Sequence, residues 1–230
     1  MNGILITFEG TEGSGKSTQI QILARRLRAL GRTVRVLREP GGTPIGEEIR
    51  HTLKHSEANR AMTNEAELLL MNASRAQLVR EVIRPALAAG EIVLCDRFYD
   101  STTAYQGYAR QLDLDRVRAI IDFAIDGTRP ARTILLDVPP EVSELRRQSR
   151  QTAHEPAAAA GPLPTPVPVR DRMEEPDRAF FERVQAGFYA IAAAEPDRVG
   201  VIPATGPIDE VAALVWDAVA PLLTPRTASV

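Results

Sequence analysis

The chain has 230 residues, 44% hydrophobic and 25% charged, with a formal net charge of −2. That length supports one well-buried α/β core, and the nearly balanced charge gives no electrostatic basis for wrapping nucleic acid. The single cysteine, Cys95, excludes an intramolecular disulfide and fits a reducing cytosol, and no apolar run approaches the roughly 20 residues needed to cross a bilayer.

The first element, Ile4–Phe8, is of strand length and is not an export leader. GTEGSGKST follows directly, with Gly10, four residues, then Gly15, Lys16 and Ser17. This is the G-x-x-x-x-G-K-[ST] phosphate loop, whose glycines let successive backbone N–H groups point at phosphate oxygens. Thr11, Glu12, Gly13, Ser14 and Thr18 complete the expected ATP-binding stretch. Lys16 should reach the β and γ oxygens, and the Ser17 hydroxyl should bind Mg²⁺. A helix over 16–30 adds its positive end and stops at Gly31.

Thr33–Leu37 reads as the second strand, and a long helical pattern covers 64–89, closed by Gly90. Met71 and Arg75 lie one turn apart on it and can enter one cavity together. Arg75 either snorkels to water or holds a base carbonyl in its fork. After the third strand, Ile92–Cys95, come Asp96 and Arg97. If the first and third strands are neighbours, Asp96 stands beside the phosphate loop, as a Mg²⁺ ligand through water, a base, or simply a helix cap. Arg97 suits a second phosphate. A helix over 101–108 would put Ser101, Tyr105 and Tyr108 on one face and Thr102 and Gln106 on another, with Asp100 or Ser101 as its cap.

Further helices are expected near 113–126, 140–150, 177–194 and 208–222, with strands at Thr133–Asp137 and Val199–Ile202. Asp137 is expected to set the turn before Pro139-Pro140. The stretch 154–169 holds five prolines without periodicity and reads as a mobile loop or insertion. The Thr205-Gly206 turn is a weak candidate for the adenine pocket. Alternating strands and helices imply a parallel five-stranded sheet covered on both faces, with ligands beyond the strands' C-terminal ends.

FEGTEGSGKST, LREPGGTPIGEEIR, SRAQLV, CDRFYDSTTAYQG, LLDVPPEV and DRMEEPDRAFFERVQAGFYA stand in that order. With these motifs the chain, from Ile4 to about Ala220, resembles the thymidylate kinase family. The resemblance implies a phosphate-loop α/β kinase that phosphorylates dTMP to dTDP with ATP and Mg²⁺. By it, Glu12 touches the acceptor 3′-hydroxyl, Glu39 and Arg50 lie near the acceptor phosphate, and Arg97 is that phosphate's main ligand. Arg75 bonds the thymine ring with Ser101 and Gln106 assisting, and Tyr105 packs where a ribose 2′-hydroxyl would lie. Met71 takes the place of a phenylalanine that stacks on thymine in many relatives.

One branch of the family carries a catalytic arginine inside the phosphate loop, where this chain has Gly13. The cation must then come from Arg146, Arg147, Arg150, Arg170 or Arg172, as in the bacterial arrangement with a lid-borne arginine. Arg146 and Arg150 are one turn apart and can face the site together. The resemblance also implies a homodimer built through long helices. A single domain over 1–230 is expected, with a lid at about 146–172 that departs from the short arginine-rich lid of relatives by its proline- and alanine-rich insertion, and with a disordered tail at about 224–230. No nucleic-acid or membrane partner is expected. A kinase for another nucleoside or nucleoside monophosphate would share the loop and Asp96-Arg97. A nucleotide-gated switch would need no second substrate pocket.

Overall fold

The computed structural model describes residues 3–153 and 178–223, with side chains undescribed over 147–153. The segment 154–177, which contains the proline-rich stretch, and the tail 224–230 lie outside the described residues. Among the described residues, five parallel strands form one sheet in the order β2-β3-β1-β4-β5. They are β1 (Ile4–Glu9), β2 (Val34–Arg38), β3 (Ile92–Asp96), β4 (Arg132–Asp137) and β5 (Val199–Pro203). Each lies within a residue or so of its expected position. The fold class is therefore as expected, and the neighbouring of β1 and β3 aligns Phe8 with Asp96.

Alternation along the strands sorts the core into two faces. Ile6 and Phe8 of β1, with Ile92 and Leu94 of β3, meet Ile20, Leu23 and Leu27 of α1 (Lys16–Ala29) and Val211 and Val215 of α9 (Ile208–Val219). Leu5, Val93 and Cys95 point the other way, against Leu68 and Leu78 of α3 (Asn64–Leu78) and Val117 and Ile121 of α6 (Leu114–Ile125). Burying one large aliphatic side chain contributes about 1.5–3 kcal/mol, so this pattern fixes each strand's register. Gly31 and Gly90 take left-handed caps, with φ of 75° and 78°.

Two helical segments depart from the simple pattern. An unexpected helix, α2 (Pro44–Lys54), follows β2; Thr43 caps it by accepting from the Gly46 N–H at 3.0 Å, and Pro44 starts it. The long helix expected over 64–89 is continuous, but it widens into a π turn at Val79–Ile83 before α4 (Arg84–Ala88). Pro85, which has no N–H to give, follows directly. No helix among the described residues is long and apolar enough to cross a membrane.

Candidate active site

The loop between β1 and α1 closes around its own lysine. Lys16 is buried, and its Nζ donates to the Gly10 carbonyl at 3.1 Å and the Thr11 carbonyl at 2.9 Å. Burial, and then the positive charge of Arg97, pull its pKa down to about 7. Ser17 Oγ, at the start of α1, donates to Asp96 Oδ2 at the end of β3, at 2.9 Å. The Asp96 carboxylate therefore meets the loop and does not cap the following helix.

That helix, α5 (Tyr99–Thr102), runs on as π turns over Thr103–Ala109. Neither Asp100 nor Ser101 caps it, contrary to expectation. Glu9, at the end of β1, does so from outside: Oε1 accepts from the Phe98 N–H at 2.8 Å and the Ser101 N–H at 3.3 Å. Glu9 Oε2 accepts from Ser101 Oγ at 2.5 Å. Burial, and then the Asp100 carboxylate, push the Glu9 carboxyl up to about 7, opposed by Arg97. Asp100 is instead buried in a double contact with Arg198, at 2.7 and 2.9 Å.

The π winding also corrects the expected faces. With hydrogen bonds reaching five residues back, as from Arg110 N–H to the Tyr105 carbonyl at 2.9 Å, a residue seven positions along no longer returns to the starting face. Ser101, Thr102, Tyr105 and Gln106 all line one cavity, whereas Tyr108 packs against Gly187 of α8 (Arg178–Ala194).

That cavity, of about 330 Å³, is lined by Glu12, Lys16, Ser17 and Asp96 together with Glu39, Arg50 and Arg97 and with Met71, Arg75, Tyr105 and Gln106. Arg75 and Tyr105 thus share one hollow. Arg75 does not snorkel. It is 2% exposed, and it donates to Glu39 at 2.9 Å, Asn72 at 2.8 Å, Thr102 at 3.0 Å and the Phe98 carbonyl at 3.3 Å. Its second Nη1 hydrogen has no partner among the described residues. Burial raises the Glu39 pKa against the pull of Arg75, and Glu39 Oε1 has no hydrogen-bond partner among the described residues.

Arg97 sits in the left-handed region, with φ 69°. Its Nη1 donates to Ser101 Oγ at 2.9 Å, its Nη2 lies 3.4 Å from Tyr105 Oη, and its charge lies over the Tyr105 ring. The ring is held edge-on by Phe180 and Phe188 of α8. Gln106 Nε2 donates to Glu67 of α3 at 2.8 Å. Sequence reasoning missed Glu9, Glu67 and Thr102, and also Arg38, Lys54 and Phe181, which line the cavity. The pair Thr43-Pro44 is the one signal that could have announced α2 and with it Arg50.

Behind the phosphate loop lies a second, open cavity of about 510 Å³, lined by Gly13, Ser14, Thr18, Arg146 and Gly206 among others. Arg146, on α7 (Pro140–Ala153), donates to the Ala204 carbonyl at 3.0 Å. The side chains of Arg147 and Arg150, and all of Arg170 and Arg172, lie outside what is described. α7 rests directly on the loop. Thr11 and Ser143 hydroxyls meet at 2.8 Å, and a Cβ at Gly13, where φ is 86°, would stand 2.5 Å from the Ser143 carbonyl oxygen. Asp137 does not set the turn into α7. Its carboxylate accepts from Tyr189 Oη at 2.8 Å, while the Pro139 carbonyl accepts the turn's backbone N–H groups.

The thymidylate kinase family model matches residues 8–215. The thymidylate kinase of Syntrophotalea carbinolica is 47% identical over 211 residues, covering 92% of each chain. That of Synechococcus sp. is 44% identical over 225 residues, covering 98% of each. Among solved structures, the thymidylate kinase from Ehrlichia chaffeensis superposes with a TM-score of 0.72 at 31% identity, covering 94% of this chain and 98% of that one. With a phosphate loop, a facing arginine and a base-sized hollow in one cleft, and with these likenesses over nearly its full length, the chain belongs to the thymidylate kinase family.

Proposed function

We propose that the chain transfers the γ-phosphoryl group of ATP to dTMP, giving dTDP and ADP. An oxygen of the dTMP phosphate attacks the γ-phosphorus while the bond to the bridging β,γ-oxygen breaks, and the electron pair leaves with ADP. Membership of the family supports the reaction. The observation that carries the residue assignment is that Lys16, Arg97 and Arg75 line one and the same cavity. Such an arrangement favours a monophosphate ester lying between a triphosphate grip and a base grip.

In this reading Lys16 leaves the loop carbonyls for the phosphates of ATP, Arg97 holds the dTMP phosphate with Arg50 nearby, and the remaining Nη1 hydrogen of Arg75 faces a thymine carbonyl. Met71 lies on the ring face; a thioether there is worth about 0.3–1.5 kcal/mol. Tyr105, wedged between Phe180 and Phe188, takes the space of a 2′-hydroxyl, and Glu12 reaches the 3′-hydroxyl. Asp96 orients the attacking oxygen. The second cavity suits adenine, beside Arg146 and the turn at Gly206. A lid role for 146–172, with Arg150 supplying charge to the moving phosphoryl group, belongs to the same proposal.

Mg²⁺ fits the chemistry of the Ser17–Asp96 pair, since a hydroxyl and a carboxylate in contact leave room for water and phosphate oxygens. When bound, the ion would neutralise charge on the β and γ oxygens. Self-association through α3 and α6 is supported by Leu69 and Phe123, which are 56% and 82% exposed on these two packed helices. A cytosolic setting is supported by the buried free thiol of Cys95.

A panel of dTMP, dUMP, dCMP and dGMP with ATP, followed by ADP release, tests the assignment. The highest kcat/KM is expected for dTMP, and preference for another acceptor would replace it.

A further inference from the structure

We propose that Glu9 is a positioning residue for the acceptor phosphate, aiming the Arg97 guanidinium through the hydroxyl of Ser101. The inference deepens the function proposed above and rests on it.

The geometry begins with strand parity. Leu5, Thr7 and Glu9 share the β1 face that looks toward α5, so the last residue of the strand delivers a carboxylate beneath that helix. Glu9 is fully buried. Burying a carboxylate is costly, and an apolar residue of like volume is often no worse for stability, so a fully buried one calls for a geometric role. Among the described residues, the hydrogen bonds of the Glu9 carboxylate all converge on Phe98 and Ser101. Two come from backbone N–H groups, which any helix cap would satisfy. The third, from Ser101 Oγ at 2.5 Å, does something a cap does not need. It commits the hydroxyl hydrogen to Glu9, leaving the oxygen lone pairs to accept from Arg97 Nη1 at 2.9 Å.

The strand residue just before holds the same arginine by its backbone: the Phe8 carbonyl accepts the Arg97 N–H at 2.9 Å. Arg97 needs such anchoring because its left-handed φ of 69° is unfavourable for a residue with a side chain. The residue just after, Gly10, opens the phosphate loop. Phe8 and Glu9, the last two residues of β1, thus hold Arg97 by backbone and, through Ser101, by side chain, and Gly10 just after them begins the grip on the donor. A glutamine at position 9 keeps the carbonyl for the two N–H groups but turns its nitrogen to Ser101. The serine hydrogen then loses its acceptor, and the orientation of the Arg97 fork is released.

The test is steady-state kinetics with dTMP and ATP on the wild type, Glu9→Gln, Ser101→Ala and the double variant, with melting temperatures alongside. The expected result is a rise of at least about tenfold in the KM for dTMP in each single variant, with the KM for ATP within about twofold. The double variant is expected to be no worse than the more severe single, because both changes cut one chain of contacts. A KM for dTMP within twofold of wild type in Glu9→Gln overturns the proposal, as does multiplication of the two effects in the double variant. If Glu9→Gln fails to fold, Ser101→Ala decides, since it leaves both N–H bonds to Glu9 intact; a KM within twofold then overturns it. If the wild type prefers another monophosphate, the functional assignment falls while this proposal is tested with that acceptor, whose phosphate makes the same demand on Arg97. A chain that phosphorylates no nucleoside monophosphate overturns both.

Discussion

Arg75 and Glu39 form an ion pair of 2.7 Å in which the side chains are 2% and 4% exposed. Removing one partner of such a pair leaves an uncompensated charge in the interior, at a cost of about 3–5 kcal/mol. Arg75→Ala is therefore expected to lose that much stability in urea unfolding near neutral pH. The loss should depend on pH in a defined direction. Burial already raises the Glu39 pKa above its ordinary 4.5, and without the arginine it rises further. The folded variant then binds a proton that the unfolded chain has released, so its stability falls as pH rises above the ordinary carboxylate value of 4.5. A pH-independent penalty would show that Glu39 finds another partner.

Lys16 offers a second pH test. Its pKa lies at about 7, against an ordinary 10.5, because burial disfavours the charged form. The free folded protein thus binds fewer protons than the unfolded chain between these values, so this group makes stability rise with pH across that window. Nucleotide phosphates should restore the charge. At pH 8, binding of a non-hydrolysable ATP analogue is expected to take up a fraction of a proton, read by calorimetry in buffers of different ionisation enthalpy. Lys16→Met should abolish that uptake.

Tyr105 is clamped between Phe180 and Phe188, each ring centroid 6.2 Å away, and so cannot yield to an added hydroxyl by swinging aside. Tyr105→Ala is expected to raise the kcat/KM for ribothymidine monophosphate relative to dTMP by at least tenfold. Measuring the ratio on one preparation removes differences in folded fraction. An unchanged ratio would place sugar selection elsewhere.

Two of the three α7 arginines, Arg146 and Arg150, should separate kinetically. Arg146 lines the cavity behind the loop and donates to the Ala204 carbonyl, so Arg146→Ala is expected to raise the KM for ATP several-fold. Arg150 stands one turn further along the helix, and Arg150→Ala is expected to lower kcat at least tenfold with little change in the KM for dTMP. An unchanged turnover number would move the charge to a neighbour.

Much of this was legible in the amino-acid string because it depends on local chemistry. β-branched runs marked the five strands, and the glycine spacing from Gly10 to Lys16 marked the phosphate loop. Asp96 and Arg97 could be placed beside that loop once β1 and β3 were taken as neighbours. What escaped depends on distant contacts. Nothing in FEG indicates that Glu9 caps a helix some ninety residues later, nor that Asp100 turns to Arg198 instead of capping its own. Helical spacing reckoned in α turns misplaces Tyr108, because the chain over Thr103–Ala109 winds more widely.

The close seating of α7 on the phosphate loop has an evolutionary corollary. With Gly13 at φ 86° and the Ser143 carbonyl 2.5 Å from where a Cβ would stand, an arginine cannot simply be grafted into the loop as a supplementary cation. The helix would first have to retreat, taking Arg146 and the stem of its own arginines away from the nucleotide. In this backbone a side chain at position 13 and an α7 seated on the loop exclude each other, so a lineage gaining the one must rebuild the junction first.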